Sequence, residues 1–254
     1  MNLLLTNDDG FTAEGINILA RRLAVDNNVY IIAPDSNRSA VSQHITLTQP
    51  LNLIRVADNT YSCSGYPVDC VTVGIQSSLL GVKIDGIVSG INCGANMGTD
   101  ILYSGTCAAA RQSVLNGIPS IAVSVEFINP KNRKNEKLKY DAVADFVAKN
   151  LKKLFSLAKT EPPRAFVNIN ALSLDSYKGA KICKDLCIRN YGDSVAAVHD
   201  KDDRYHADYV MGNGNTPCLP GTDLTAIKEG YIAVSLVCAD PVGLESVDDM
   251  DFSL

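Results

Sequence analysis

Short apolar runs alternate with amphipathic stretches through the first two thirds of the chain. The runs cover residues 3–5, 29–33, 84–88 and 121–125, and residues 166–170 alternate apolar with polar. Runs this short and this apolar predict strands buried on both faces of a parallel sheet. Between them, Ile16, Leu19, Ala20 and Leu23 recur at helical spacing and predict a helix over 15–24. A second helix starts at Pro67, with Val68, Val71, Ile75 and Leu79 on its inner face. A third, rich in small residues, runs over 107–115 and stops at Gly117-Ile118-Pro119. A fourth covers 140–157, with Val143, Val147, Leu151 and Leu154 on one side. Residues 45–47 and 51–56 read as extended pieces flanking Pro50, and the Asn/Lys-rich stretch 129–137 as an exposed loop.

This alternation predicts an α/β fold: a Rossmann-like, doubly wound, mostly parallel sheet over residues 1–172. Beyond Leu172 the helical period fades. Residues 173–254 read as a β-hairpin-rich extension and oligomerisation tail of one functional unit rather than a second core.

The polar residues are concentrated where the apolar runs end. The first run leads into Thr6-Asn7-Asp8-Asp9-Gly10, the second into Pro34-Asp35-Ser36-Asn37-Arg38-Ser39, and the third into a Gly/Asn/Ser-rich loop from Ser89 to Gly98. In an open parallel sheet the strand carboxyl ends share one rim, and ligands bind there where the strand order reverses. Three such loops can converge and offer carboxylate, hydroxyl and amide oxygens, hard donors suited to magnesium, manganese or calcium. Adjacent carboxylates repel and lose hydration when enclosed, and a cation between them offsets that. The alternative for Asp8 and Asp9 is a simple helix-capping pair. Ser104, Gly105 and Thr106 open the third helix, and its free amides form a natural anion cradle; capping by Ser104 or Thr106 is compatible with that reading. The glycines fit neither a Walker A loop nor G-x-G-x-x-G, and the carboxylates are adjacent rather than in D-x-D.

Composition narrows the partners. A net charge of -5 argues against docking on duplex nucleic acid. No apolar stretch is long enough for a membrane span, and the N-terminus does not read as a signal peptide, so a cytoplasmic protein without membrane attachment is expected. The eight cysteines are scattered without a C-x-x-C and read as reduced packing residues, Cys183 and Cys187 included. His199 and His206, set among Asp200, Asp202, Asp203 and Asp208, read as a solvated charged hairpin rather than a metal site.

The ordered set of motifs resembles the SurE survival-protein family. Its carriers are Thr6 to Gly10, Ala33-Pro34-Asp35 with Arg38-Ser39, Gly65 to Cys70, Ser89-Gly90-Ile91-Asn92 with Gly94, Asn96 and Gly98, Tyr103 to Thr106, Gly221-Thr222-Asp223-Leu224 and Gly230-Tyr231. The chain departs from the pattern at Cys93, at residues 41–44, which lack a glycine, and at Ser235-Leu236. The resemblance implies a 5'/3'-nucleotidase, a phosphoric monoester hydrolase that uses one divalent cation, Mg2+ or Mn2+, per subunit. It implies Asp8, Asp9, Ser39 and Asn92 as metal ligands. With Asp8 and Asp9 as the catalytic pair, either can take the proton of the attacking water, Asp9 being favoured, and a covalent phospho-aspartate is the alternative. Asn96, Ser104, Gly105 and Thr106 would hold the phosphate of a nucleoside monophosphate. It further implies a homodimer or homotetramer whose C-terminal regions exchange. The rival readings are a nucleotide-binding sensor without turnover and a metal-dependent hydrolase of another ester.

Overall fold

A computed structural model of the chain describes residues 1–129, 136–210, 212 and 214–241. The elements run β1 (Asn2–Thr6), α1 (Glu14–Leu23), β2 (Asn28–Pro34), β3 (Leu53–Ala57), β4 (Thr60–Cys63), α2 (Pro67–Gln76) and β5 (Gly86–Cys93). A 3-10 turn (Gly98–Leu102) leads into α3 (Gly105–Leu115), followed by β6 (Ser120–Glu126), α4 (Asp141–Leu157) and β7 (Ala165–Leu172). The rest is β8 (Ala180–Ile182), β9 (Ser194–His199), β10 (Tyr205–Val210), α5 (Asp223–Lys228) and β11 (Ile232–Cys238).

Among the described residues, nine strands form one sheet in the order β3-β4-β2-β1-β5-β6-β7-β11-β8. The strands from β4 to β7 in this order pair in parallel; β3 and β11 run antiparallel to β4 and β7. The chain leaves β1 for β2 on one side and returns to β5 on the other. The strand order thus reverses between β1 and β5. The loop after β1 carries Asp8-Asp9, whereas Asn92 lies in the last residues of β5 itself, which runs on to Cys93 through the first part of the stretch that the sequence reads as the third loop.

Side chains alternate across the sheet, as the two-residue period requires. Leu3 and Leu5 enter the core under α1 and α4 with Ile16, Leu19, Val143 and Val147, whereas Leu4 enters the core under α2 and α3 with Cys70, Val71 and Ala109. Helix α3 lies close on the sheet because Ala108, Ala109 and Ala110 are fully buried small residues. Helix α2 begins as expected at Pro67, and the Asp69 carboxylate accepts from the Tyr66 N–H at 2.9 Å. That carboxylate also accepts from the Thr46 N–H at 2.9 Å and the Thr46 hydroxyl at 2.8 Å. Residues 45–47 therefore dock on a helix N-terminus and join no strand.

The region after β7 is more integrated than its weak periodicity suggests. Both β8 and β11 lie in the main sheet, and α5 packs Leu224 and Ile227 against Met97 and Ala233. Only β9 and β10 stand apart, as an antiparallel hairpin with every residue exposed in the single chain. His206 there meets Asp200 at 2.8 Å and Asp208 at 3.6 Å, all half exposed, which is the charged hairpin expected. Cys183 and Cys187 are buried in the α5 core, where burial pushes their thiols up to about 11 and about 12. Most of the expected exposed loop at 129–137, and the terminal part of the exchanging tail, lie outside the described residues. No helix among the described residues is long and apolar enough to cross a membrane.

Helix α1 touches β5 backbone to backbone at Gly15. A Cβ there would stand 2.0 Å from the Ile91 carbonyl oxygen, next to Asn92. Gly15→Ala is therefore expected to destabilise the fold by about 3 kcal/mol through overpacking, seen as a lower urea midpoint. An unchanged midpoint would show that α1 can move off the strand freely.

Candidate metal and phosphate site

The turn after β1 is held by Asn7, whose Nδ2 donates to the Gly10 carbonyl at 2.9 Å and whose Oδ1 accepts from the Gly10 N–H at 3.1 Å. This closed turn projects Asp8 and Asp9 in different directions. Asp8 points under the first turn of α3. Thr106 donates its hydroxyl to Asp8 Oδ1 at 2.6 Å and its N–H to Oδ2 at 3.2 Å. Gly105 lets α3 come this near, since a Cβ there would stand 2.9 Å from Asp8 Cβ. Asp9 turns toward β5, and its Oδ2 accepts from the Cys93 N–H at 3.0 Å.

The second loop is tied to the first by the Arg38 N–H, which donates to the Asp8 carbonyl at 2.6 Å. The Arg38 guanidinium does not reach the carboxylate pair. It faces Asp35 at 3.1 Å and lies over the Tyr66 ring at 5.4 Å. Ser39 follows, exposed, its N–H donating to Asn37 Oδ1 at 2.9 Å; among the described residues its hydroxyl has no partner. Ser42 ties the same loop to the α3 approach, with its N–H on the Tyr103 carbonyl at 2.9 Å. In the third loop, Asn92 is buried and its Nδ2 donates to the Gly94 carbonyl at 2.8 Å, so that Oδ1 stands without a donor among the described residues.

Both carboxylates are in an environment that disfavours their charge. Burial, with a smaller contribution from Asp9, pushes Asp8 up from 3.8 to about 6, although the Thr106 bonds pull it down. Asp9 is raised for the same first reason, against the pull of the Cys93 N–H. Among the described residues neither has a Lys or Arg within ion-pair distance. A hard cation would offset this cost. Asp8, Asp9, the Ser39 hydroxyl and Asn92 Oδ1 fit one, since all are oxygen donors from three loops bonded to one another. The described residues show no cluster of three or more His, Cys, Asp or Glu side chains able to hold a metal; here amide and hydroxyl oxygens would complete the set.

The expected phosphate residues divide in an informative way. Thr106 is engaged with Asp8 through both donors. Ser104 caps α3, its Oγ accepting from the Cys107 N–H at 3.0 Å, so its hydroxyl hydrogen stays free to donate. The Gly105 N–H has no hydrogen-bond partner among the described residues. Asn96 is buried and donates from Nδ2 to Ser124 Oγ at 2.9 Å, leaving one amide hydrogen. The capping reading of this helix end is what the structure shows, with Asp8 on the Thr106 amide and Ser104 on the Cys107 amide, and the Gly105 N–H is left as the group an anion could take.

Clefts of about 350 Å³ and 340 Å³ lie along α4, and none of Asp8, Asp9, Ser39 or Asn92 lines them. The donor chemistry at the reversal of strand order makes this rim the candidate site. Three further residues support it: the sequence alone reads Asn168 and Asn170 only as polar positions of a strand and Asp223 only as part of the Gly221 to Leu224 motif, and gives none of them a place at the site.

The raised Asp8 has a consequence for stability. The folded state holds its proton more tightly than the unfolded state, so the metal-free protein loses stability as pH rises from about 4 through about 6. The loss from Asp8 is on the order of 3 kcal/mol. Asp8→Asn is expected to lack the Asp8 share of this slope and to keep that of Asp9, so that its stability relative to the chelator-treated native chain improves toward pH 7 in urea titrations. Parallel pH profiles for the two proteins would contradict the burial of the charge.

The family model described as Survival protein SurE matches residues 3–192. A protein named 5'-nucleotidase SurE from Mannheimia succiniciproducens is 38% identical over 251 residues, covering 97% of this chain and 96% of its own. One of the same name from Haemophilus influenzae is 37% identical over 251 residues, covering 97% and 95%. The crystal structure of the SurE protein from Aquifex aeolicus superposes with a TM-score of 0.79 at 31% identity, covering 95% of each chain. The fold, the motifs and these matches agree: the chain belongs to the SurE survival-protein family.

Proposed function

We propose that this chain is a divalent-metal-dependent phosphomonoesterase that converts 5'- and 3'-nucleoside monophosphates to nucleoside and inorganic phosphate. The observation that carries this reading is the pair of desolvated carboxylates, without a basic partner among the described residues, beside a helix end that keeps a free N–H. Relatives over nearly the whole chain bear the name 5'-nucleotidase.

Asp8, Asp9, Ser39 and Asn92 hold one Mg2+ or Mn2+. The bound cation supplies Lewis-acid activation of water and neutralises phosphate charge. The Gly105 N–H, the Ser104 hydroxyl and the remaining Asn96 amide hydrogen orient the phosphate oxygens, and the α3 dipole favours their charge. Thr106 holds Asp8 Oδ1 and Oδ2, so Asp8 serves as a fixed ligand. Asp9 is bonded only through Oδ2, and its Oδ1 takes the proton of the attacking water. The water oxygen bonds to phosphorus as the ester P–O bond breaks, the nucleoside oxygen takes a proton from solvent and leaves as the hydroxyl, and Asp9 returns its proton to solvent. The exposed β9–β10 hairpin presents Val195, Val198, Tyr205 and Tyr209, and an isolated two-stranded sheet is marginal in water. A homodimer or homotetramer of cytoplasmic subunits covers it.

The test is phosphate release from a panel of 5'- and 3'-nucleoside monophosphates after chelation, with and without added Mg2+ or Mn2+. Release that needs the metal and falls about 10³-fold in Asp9→Asn is the expected result. Release without metal, or nucleotide binding with no release, would overturn the reading.

A further inference from the structure

The side chains that fix the third loop come from a strand remote from it in sequence. Asn168 and Asn170 lie two residues apart on β7, so they share one face, and both are fully buried. Their amides converge on one residue. Asn170 Oδ1 accepts from the Asn96 N–H at 2.8 Å. The Asn96 carbonyl accepts from Asn168 Nδ2 at 2.8 Å and from Asn170 Nδ2 at 3.1 Å. Ser124, opposite Asn170 on β6, takes the Asn96 side chain. Asn168 also reaches the other half of the site, its Oδ1 accepting from Cys107 Sγ of α3 at 3.7 Å.

Two carboxamides in the middle of a buried strand are an unfavourable choice for packing alone. Desolvating them is costly unless every group is bonded, and an apolar residue of the same volume fills the space without that demand. Here both are directed at the N–H and the carbonyl of one residue, Asn96, in the loop that follows Asn92 and the end of β5. We propose that Asn168 and Asn170 are positioning residues: they lock the Asn96 backbone to the sheet and so set the loop relative to Asp8 and α3. Neither touches the substrate. The inference rests on the phosphohydrolase reading above.

The experiment compares the native chain with Asn168→Leu, Asn170→Leu and Ser124→Ala, each loaded with Mn2+. The readouts are kcat, KM, and inhibition by inorganic phosphate, with circular dichroism to confirm folding at the assay temperature. A loop displaced by about 1 Å is expected to lower kcat by about 100-fold in the two Leu variants. The phosphate inhibition constant should rise several-fold while the spectrum stays native. A merely structural role would leave the activity of the folded protein unchanged, and native kcat and phosphate inhibition in both Leu variants would overturn the proposal. If the Leu variants do not fold, and with Ser124→Ala as the control that frees only the Asn96 side chain, Asn168→Ser and Asn170→Ser decide, because their side chains are too short to hold the Asn96 backbone and leave its side chain on Ser124. A lower kcat there supports the positioning role, and native kinetics overturn it. A native chain that releases no phosphate would sink the phosphohydrolase reading itself, and this inference with it. Full native turnover beside unaffected variants would sink the inference alone.

Discussion

Asp8 is held in its charged geometry by α3 while the surroundings resist the charge. The helix supplies an N–H and a hydroxyl from Thr106, and its dipole favours an anion there. Burial outweighs both and leaves the carboxyl raised. Much of the rim follows from this tension. Gly105 has to be a glycine for α3 to approach, and the small alanines behind it let the helix lie close on the sheet. The Asn7 turn sends the second carboxylate toward β5. Instability of this kind, concentrated at a few polar groups, is common where a fold keeps a site ready for a ligand.

The site is assembled by loops that meet through main-chain bonds rather than through side-chain ion pairs. Arg38 reaches Asp8 with its N–H while its guanidinium faces Asp35. Cys93 reaches Asp9 in the same way, through its N–H. Position is thus set by the backbone, and the donor oxygens of Ser39 and Asn92 remain uncommitted. Asp223, fully buried, accepts from the Gly98 N–H at 2.8 Å and the Cys187 N–H at 2.9 Å, which ties the C-terminal segment to the end of the Asn92 loop.

The sequence was most legible where one period dominated. The apolar runs that became β1, β2 and β6 and the stripes of α1 and α4 were identified within a few residues, because burial on one or both faces leaves a clear pattern. Strand β5 was found but cut short at Val88, because its last residues, Ser89 to Cys93, include a glycine and polar side chains though they continue the ladder. The carboxylate pair and the α3 entry stood out because adjacent Asp residues and a Ser-Gly-Thr start are chemically unusual at strand and helix ends. The short β4 carried too few residues to show a period. The run of β11 was overlooked inside a region where hairpin and core residues are interleaved, and α5 is only six residues long. Asn168 and Asn170 were read as the polar half of an alternating strand. Both faces of β7 are in fact buried, and two amides at a two-residue spacing in such a strand were the signal.

The central claim is that the Asp8–Asp9 pair is a cation seat whose charge the fold alone does not support. Calorimetric titration of Mn2+ into the chelator-treated chain, at pH 6 in two buffers of different ionisation enthalpy, tests it most directly. The account predicts saturable binding of one ion per chain with proton release at pH 6, because Asp8 titrates at about 6, and loss of that release by about pH 8. Absence of saturable binding, or binding at pH 6 with no proton released, would contradict it.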